Sequence, residues 1–166
     1  LDFLKNLSIE EARAIEDFSP FVLGAIVPRY GPVEEKAEPG IAHLLMLQEL
    51  GLISGVGGTG LQFTASGGGA SSYFRILFSR RRGIALRHSD AGKVLHLNTY
   101  RVTPLGSQVF TLPKVEPDEE CLFATARACQ SQGFSVSIVD LQEAPGQPGT
   151  FLMTSETPLP DSPLPQ

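Results

Sequence analysis

Leu47-Gln48-Glu49-Leu50-Gly51-Leu52-Ile53 and, beyond a β-rich interval, Tyr100-Arg101-Val102-Thr103-Pro104-Leu105-Gly106 decide how this chain is read. The first stretch is the end of a helix over about 41–50. Ile41, Leu44, Leu45, Leu47 and Leu50 recur there at helical spacing, and Gly51 supplies the stop. The second is the end of a long strand candidate, Val94–Val102, followed by Thr103 as the cap of a short helix holding Leu105 and Val109. Helix, hairpin and short capped helix in that order predict an α+β fold with a winged-helix-like core. Such a core is built to hold other macromolecules rather than to carry out chemistry.

Upstream of this unit, Ser8-Ile9-Glu10-Glu11 is a capping-box pattern, and Ile9, Ala12, Ile15 and Phe18 follow at helical spacing. Ser19-Pro20 interrupts that helix and is placed to start another, so helices are expected over 9–18 and 20–27. The second is very apolar, with Phe21, Val22, Leu23 and Ile26. A connection punctuated by Pro28, Gly31, Pro32, Pro39 and Gly40 leads to helix 41–50.

Downstream, 54–72 is rich in glycine and serine around a short strand candidate, Leu61-Gln62-Phe63-Thr64. Alternation of Phe74, Ile76 and Phe78, then Ile84 and Leu86, predicts further strands with turns at Arg82-Gly83 and Ala91-Gly92. Asp118-Glu119-Glu120 opens a helix that runs through Gln132 to Gly133, and Phe134, Val136 and Ile138 form a half-buried strand. The expected organisation is one domain over 1–142, with amino-terminal helices and an added C-terminal helix–strand unit. Residues 143–166 carry Pro145, Pro148, Pro158, Pro160, Pro163 and Pro165 and read as a proline-rich tail of disordered composition.

The chain has 166 residues, 42% hydrophobic and 19% charged, which suits a soluble globular domain with a real core. No apolar run approaches the roughly 20 residues that span a bilayer, and no signal-peptide pattern opens the chain, so a cytoplasmic protein without membrane attachment is expected. The opening Leu1 reads as an excised domain or a processed product. Cys121 and Cys129 are eight residues apart on one expected helix, about 12 Å along its axis, and cannot bridge within it. Both read as buried small hydrophobes.

Net charge is −5, but unevenly spread. Residues 75–101 hold seven basic side chains and the single acid Asp90, and the rest of the chain is strongly acidic. Arg75, Arg80, Arg81, Arg82, Arg87 and Lys93 are therefore the candidate nucleic-acid-binding residues, able to grip phosphates without reading sequence. The plainer alternative is a solvated hairpin whose charges pair with the acidic remainder, and it carries the greater weight because surface charge clusters are common.

Motifs that suggest chemistry lack their context. Gly55-Val56-Gly57-Gly58-Thr59-Gly60 matches the dinucleotide-binding spacing, yet a helix precedes it, a strand follows, and no acid occurs between Leu52 and Asp90. Ser66 has Thr64 where a nucleophile elbow needs glycine. His88, Asp90 and His96 match no compact metal site. His43 reads as a solvent-edge residue, Asn6-Leu7-Ser8 as a sequon without a secretory route, and Glu10, Glu11, Glu34 and Glu35 as solvated charges. Helix 41–50 offers only His43, Gln48 and Glu49 toward base edges, which argues against base-specific reading of DNA. No catalytic residue, metal, cofactor or small-molecule substrate is expected.

With these residues in view, the chain resembles an uncharacterised bacterial family, a domain of unknown function found also near phage and defence genes. The resemblance covers roughly residues 1–110. It rests on Leu1-Asp2-Phe3-Leu4-Lys5-Asn6-Leu7-Ser8, on Leu47–Ile53 and on Val102-Thr103-Pro104-Leu105-Gly106. It implies a winged-helix-like α+β fold and no assigned activity, so it transfers no functional residues. The glycine-rich insert and the 28–40 loop depart from a standard helix-turn-helix. The expected function is a non-enzymatic interaction module. It would bind protein through apolar helical surfaces and the tail, or self-associate; the alternative is nucleic-acid binding through hairpin 75–101.

Overall fold

The computed structural model describes residues 2–35, 40–59 and 61–160. In chain order it contains α1 (Asp2–Lys5), α2 (Ile9–Phe18), a 3-10 turn (Ser19–Phe21), β1 (Ile26–Pro28), α3 (Pro32–Glu35) and α4 (Ile41–Glu49). There follow β2 (Ile53–Ser54), β3 (Leu61–Ser66), β4 (Tyr73–Ser79), β5 (Arg82–His88), β6 (Val94–Val102), α5 (Pro104–Val109), α6 (Glu119–Gln130), β7 (Ser135–Glu143) and β8 (Phe151–Pro158). The mixture of helices and strands is that of an α+β protein.

The amino-terminal capping box forms as its residues require. Ser8 Oγ accepts from the Glu11 amide at 3.1 Å, and the Glu11 carboxylate accepts from the Ser8 amide at 2.7 Å. Those bonds to Ser8 hold the Glu11 carboxyl below its ordinary range. Ala14, Ile15 and Phe18 form the buried face of α2. The helix expected over 20–27 is absent. Its apolar residues make the 3-10 turn and then β1, with Gly24 at φ +60° between them. A short apolar run carries no period that separates a buried helix from a buried strand, and pairing with β6, some seventy-five residues away, decides the outcome.

The two stretches that decide the sequence reading form one joint. Gly51 takes φ +72° and closes α4 in a Schellman motif: the Leu52 amide bonds the Leu47 carbonyl at 2.9 Å and the Gly51 amide bonds the Gln48 carbonyl at 2.9 Å. Thr103 then seizes the same corner. Its Oγ donates to the Gly51 carbonyl at 2.6 Å, its amide donates to the Leu52 carbonyl at 3.0 Å, and its Oγ accepts from the Gly106 amide at 3.0 Å. One threonine thus caps α5 and locks the end of α4 to the end of β6.

Two four-stranded antiparallel sheets share the core. In the first, β6 is central, with β1 on one side and both β2 and β3 on the other. Ser54 faces Arg101 and Leu61 faces Thr99, so β2 and β3 are halves of one strand broken opposite Tyr100 by the glycine-rich segment. Beyond the reach of β1, Gln132 completes the exposed edge of β6: its side-chain amide accepts from the His96 amide and donates to the His96 carbonyl. The second sheet has the order β4-β5-β7-β8.

Three expectations change here. The hairpin turn falls at Arg80-Arg81, between the paired Ser79 and Arg82, so Arg82-Gly83 lies inside β5. Residues 75–101 are not one hairpin, because β4 and β5 belong to the second sheet and β6 to the first. The segment expected as a tail contains β8, which pairs with β7 from Ser137↔Pro158 to Glu143↔Phe151. Pro163 and Pro165 lie outside the described residues.

One core cluster joins the facing sides of both sheets to α6 through Tyr73, Leu86, Leu95, Leu97, Leu122 and Phe134. A second packs α2, α4 and α5 on the first sheet through Phe18, Leu47, Leu52, Ile53 and Val109. Among the described residues no helix is long and apolar enough to cross a membrane.

A candidate cleft beside the basic turn

The six candidate basic residues do not gather on one surface. Arg75, on β4, donates from Nη1 to the Ser66 carbonyl at 3.0 Å and lies over Phe63, 5.7 Å from its centroid. Arg82 pairs with Glu119, and its Nε sits 3.5 Å from Asp140 without hydrogen-bond geometry. Arg87 grips Glu156 with two contacts, one at 3.1 Å, and covers the Phe74 ring at 5.1 Å. Its bonds, with one from Ser137, hold the Glu156 carboxyl below its ordinary range. Lys93 sits 5.6 Å from the Phe134 centroid. Four of the six are thus tied into the body of the molecule.

Arg80 and Arg81 are the exception. They are the two loop residues of the β4–β5 hairpin, and among the described residues neither has an ion-pair partner. Arg80 takes φ +43°, the only non-glycine residue with positive φ among those described. Two-residue hairpins with that conformation at the first loop position ordinarily carry glycine there.

Behind the turn lies a pocket of about 180 Å³ between the 3-10 turn, β4, α5 and β8. Its apolar wall is Val22, Phe78, Phe110, Val115 and Phe151; Ser19, Ser107 and Thr111 also line it, with the Ser19 and Thr111 hydroxyls donating to the Ile15 and Gln108 carbonyls. The Phe78 and Phe151 rings meet at 5.2 Å, bridging the two ends of the second sheet. The pocket shares Arg80, Thr111 and Phe151 with a wider open cleft of about 750 Å³, which is also lined by Arg81, Leu141, Gln142, Glu143 and Thr154. Glu143 Oε1 accepts from the Gly149 amide at 2.8 Å. An apolar recess lined by Arg80, opening into a cleft also lined by Arg81, neither with an ion-pair partner among the described residues, can hold a group that is apolar at one end and anionic at the other.

The other motifs resolve into structural roles. In the glycine-rich segment, the Gln48 side chain accepts from the Val56 amide at 2.9 Å, and Arg29 donates to the Thr59 carbonyl at 2.8 Å. His88 Nδ1 accepts from the Asp90 amide at 3.0 Å, and its ring lies against Phe134. Among the described residues no three His, Cys, Asp or Glu side chains are grouped to hold a metal. His43 lines a shallow depression with Ile9, Glu10, Arg13 and Asp17. Cys121 and Cys129 are free, and burial pushes both thiols up to about 12, far from a reactive thiolate. The side chains of Glu34 and Glu35 lie outside the described residues.

The sequence singles out Arg80 and Arg81 only among six candidate phosphate-gripping residues and does not show the pocket wall, because Phe110 and Phe151 come from segments read as a helix end and a tail. The available signal was Phe151-Leu152-Met153, an apolar triplet inside a composition otherwise typical of disorder. The chain matches no protein-family model, and no curated protein or solved structure matches it significantly.

Proposed function

We propose that this chain is a non-enzymatic protein-interaction module with a winged-helix-like core, acting in the cytoplasm. The observation that carries this reading is the fate of the charges beside the apolar surface. Most of the basic side chains at 75–101 are spent on internal partners, while large apolar side chains stay partly exposed on the same sheet. Phe74 is 40%, Phe78 38%, Leu152 53% and Met153 43% exposed. Ile9 and Ile41 add further apolar exposure on the amino-terminal helices. The order α2, β1, α3, α4, β2, β6 and the strand order β1-β6-β2 support the winged-helix-like core. In that reading the β4–β5 hairpin is a wing enlarged into a second sheet. The non-enzymatic part draws on the protonated, buried thiols and on His88, which is turned to a backbone amide.

Nucleic-acid binding is the second reading, favoured by the Arg80-Arg81 turn, which has no ion-pair partner among the described residues. Fluorescence anisotropy of labelled duplex and single-stranded DNA over a salt series separates the two, run beside an Arg80→Ala/Arg81→Ala/Arg82→Ala variant. The protein-binding reading expects only weak association that is insensitive to the substitutions. Tight binding lost in the variant, with a log–log salt slope of about −0.9 per contacted phosphate, would replace it.

A further inference from the structure

The cleft behind the Arg80-Arg81 turn combines an apolar recess with two arginines. We propose that it binds an extended acidic peptide of a partner protein: one ring-sized apolar side chain enters between Phe78, Phe110 and Phe151, and a neighbouring carboxylate pairs with Arg80 and Arg81. This rests on the protein-binding reading and sharpens it.

Three independent observations lead there. The chain holds more acids than bases, 18 against 13, yet the two arginines at the cleft mouth have no ion-pair partner among the described residues. Glu143, which lines the same cleft, accepts from the Gly149 amide and makes no ion pair with either arginine among the described residues. A guanidinium that is unpaired and beside an apolar wall keeps its full capacity for a bidentate carboxylate bond.

Secondly, Arg80 occupies a left-handed position, at φ +43°, that glycine would fill without strain. A non-glycine residue holding a strained backbone conformation at the rim of a recess points to a role for its side chain. Thirdly, the recess of about 180 Å³ is walled by aromatic and branched side chains. A dry apolar cavity of about 150 Å³ takes one benzene ring, so the recess has room for one ring or one branched side chain. A nucleic-acid backbone would use the two charges but not the recess.

The test uses the whole chain, immobilised and panned against a display library of random twelve-residue peptides. Enriched peptides are then resynthesised with a fluorophore. Expected is enrichment of an aromatic or branched residue within two positions of Asp or Glu. Amide shifts in a nitrogen-15 spectrum should cluster at the Arg80 turn, Thr111 and Phe151. Arg80→Gly and Arg81→Ala should each weaken binding by about tenfold or more, the usual cost of losing a charge-assisted bond. Arg80→Gly is the decisive variant, because it relieves the backbone and should melt no lower than the parent, so lost binding cannot be blamed on lost folding.

Enriched peptides that bind both variants undiminished, or that shift another face, overturn the cleft and leave the protein-binding reading standing. Enrichment of basic sequences overturns the charge assignment and with it the proposal. No enrichment at all, together with salt-steep DNA binding lost in the arginine variants, overturns both readings. No enrichment without DNA binding overturns the peptide proposal alone.

Discussion

Gly106 has no room for a side chain: a Cβ there would stand 2.1 Å from the Leu52 carbonyl oxygen and 3.0 Å from Val102 Cγ1. That contact is the floor of the joint made by Thr103, so Gly106→Ala must push α5 away from the Gly51–Leu52 corner. We expect a loss of roughly 1–3 kcal/mol, read as a fall in melting temperature of about 2–4 °C per kcal/mol. An unchanged melting temperature would mean that the joint does not bear on stability. In the sequence this glycine was visible only as part of a motif generic to capped helices. Nothing local says that a carbonyl fifty residues upstream lies against it. Gly51 was legible, because a helix stop is a local event. Gly83 was misread for a related reason. Turn statistics favour glycine in the loop, but here glycine is needed inside β5, where a Cβ would stand 2.6 Å from the Leu77 carbonyl oxygen. The loop position went to Arg80 instead.

Elements that carry their own signals, such as α2 with its capping box and α6 with Asp118 bonding the Cys121 amide, follow the sequence closely. Elements held by distant partners do not. β1 has three residues and exists because β6 offers its edge; β8 lies between Pro148 and Pro160, so composition averaged over the segment conceals it. What keeps β8 in place is partly electrostatic. Arg87 on β5 reaches Glu156 on β8 across the intervening β7. The pair is partly exposed, and a double-mutant cycle should return a coupling of about 0.5–1 kcal/mol. Its pH dependence has a definite sign. The folded Glu156 carboxyl lies below its ordinary 4.5, so the unfolded chain binds the proton more readily. The pair's contribution is therefore whole above pH 4.5 and fades as pH falls through the lower folded value. Urea midpoints measured from about pH 3 to pH 7 should show a shallower acid limb in Glu156→Gln than in the parent. Parallel acid limbs would mean that the bridge is absent in solution.

At the scale of the whole molecule, the chain departs from its first sheet after β3, builds β4 and β5 into a second sheet, and returns through β6. That excursion leaves β5 needing a partner on its far side, which β7 supplies, and β7 in turn is covered by β8. The end of the described chain is fastened to the body by both backbone and side-chain contacts. The Leu159 amide bonds the Val136 carbonyl at 2.8 Å, its side chain joins the core shared by both sheets, and Arg127 and Gln130 of α6 both donate to the Pro160 carbonyl. The expected domain limit at 142 would cut through this closure. A chain ending at Ala144 would lose the burial of Phe151 and Leu159, each worth about 1.5–3 kcal/mol when complete, against a total stability of order 5–15 kcal/mol. It would also bare the edge of β7, with Val136, Ile138, Val139 and Leu141 along it, a template for strand pairing between copies. Size-exclusion chromatography should find the truncated chain largely aggregated. Leu159→Ala, which keeps β8 over that edge, should stay monodisperse and melt lower. If the truncated chain proved soluble with the parent's melting temperature, closure by β8 would be incidental. The recess walled by Phe151 would then lose its fixed side, and with it the reason the Arg80-Arg81 turn faces a pocket at all.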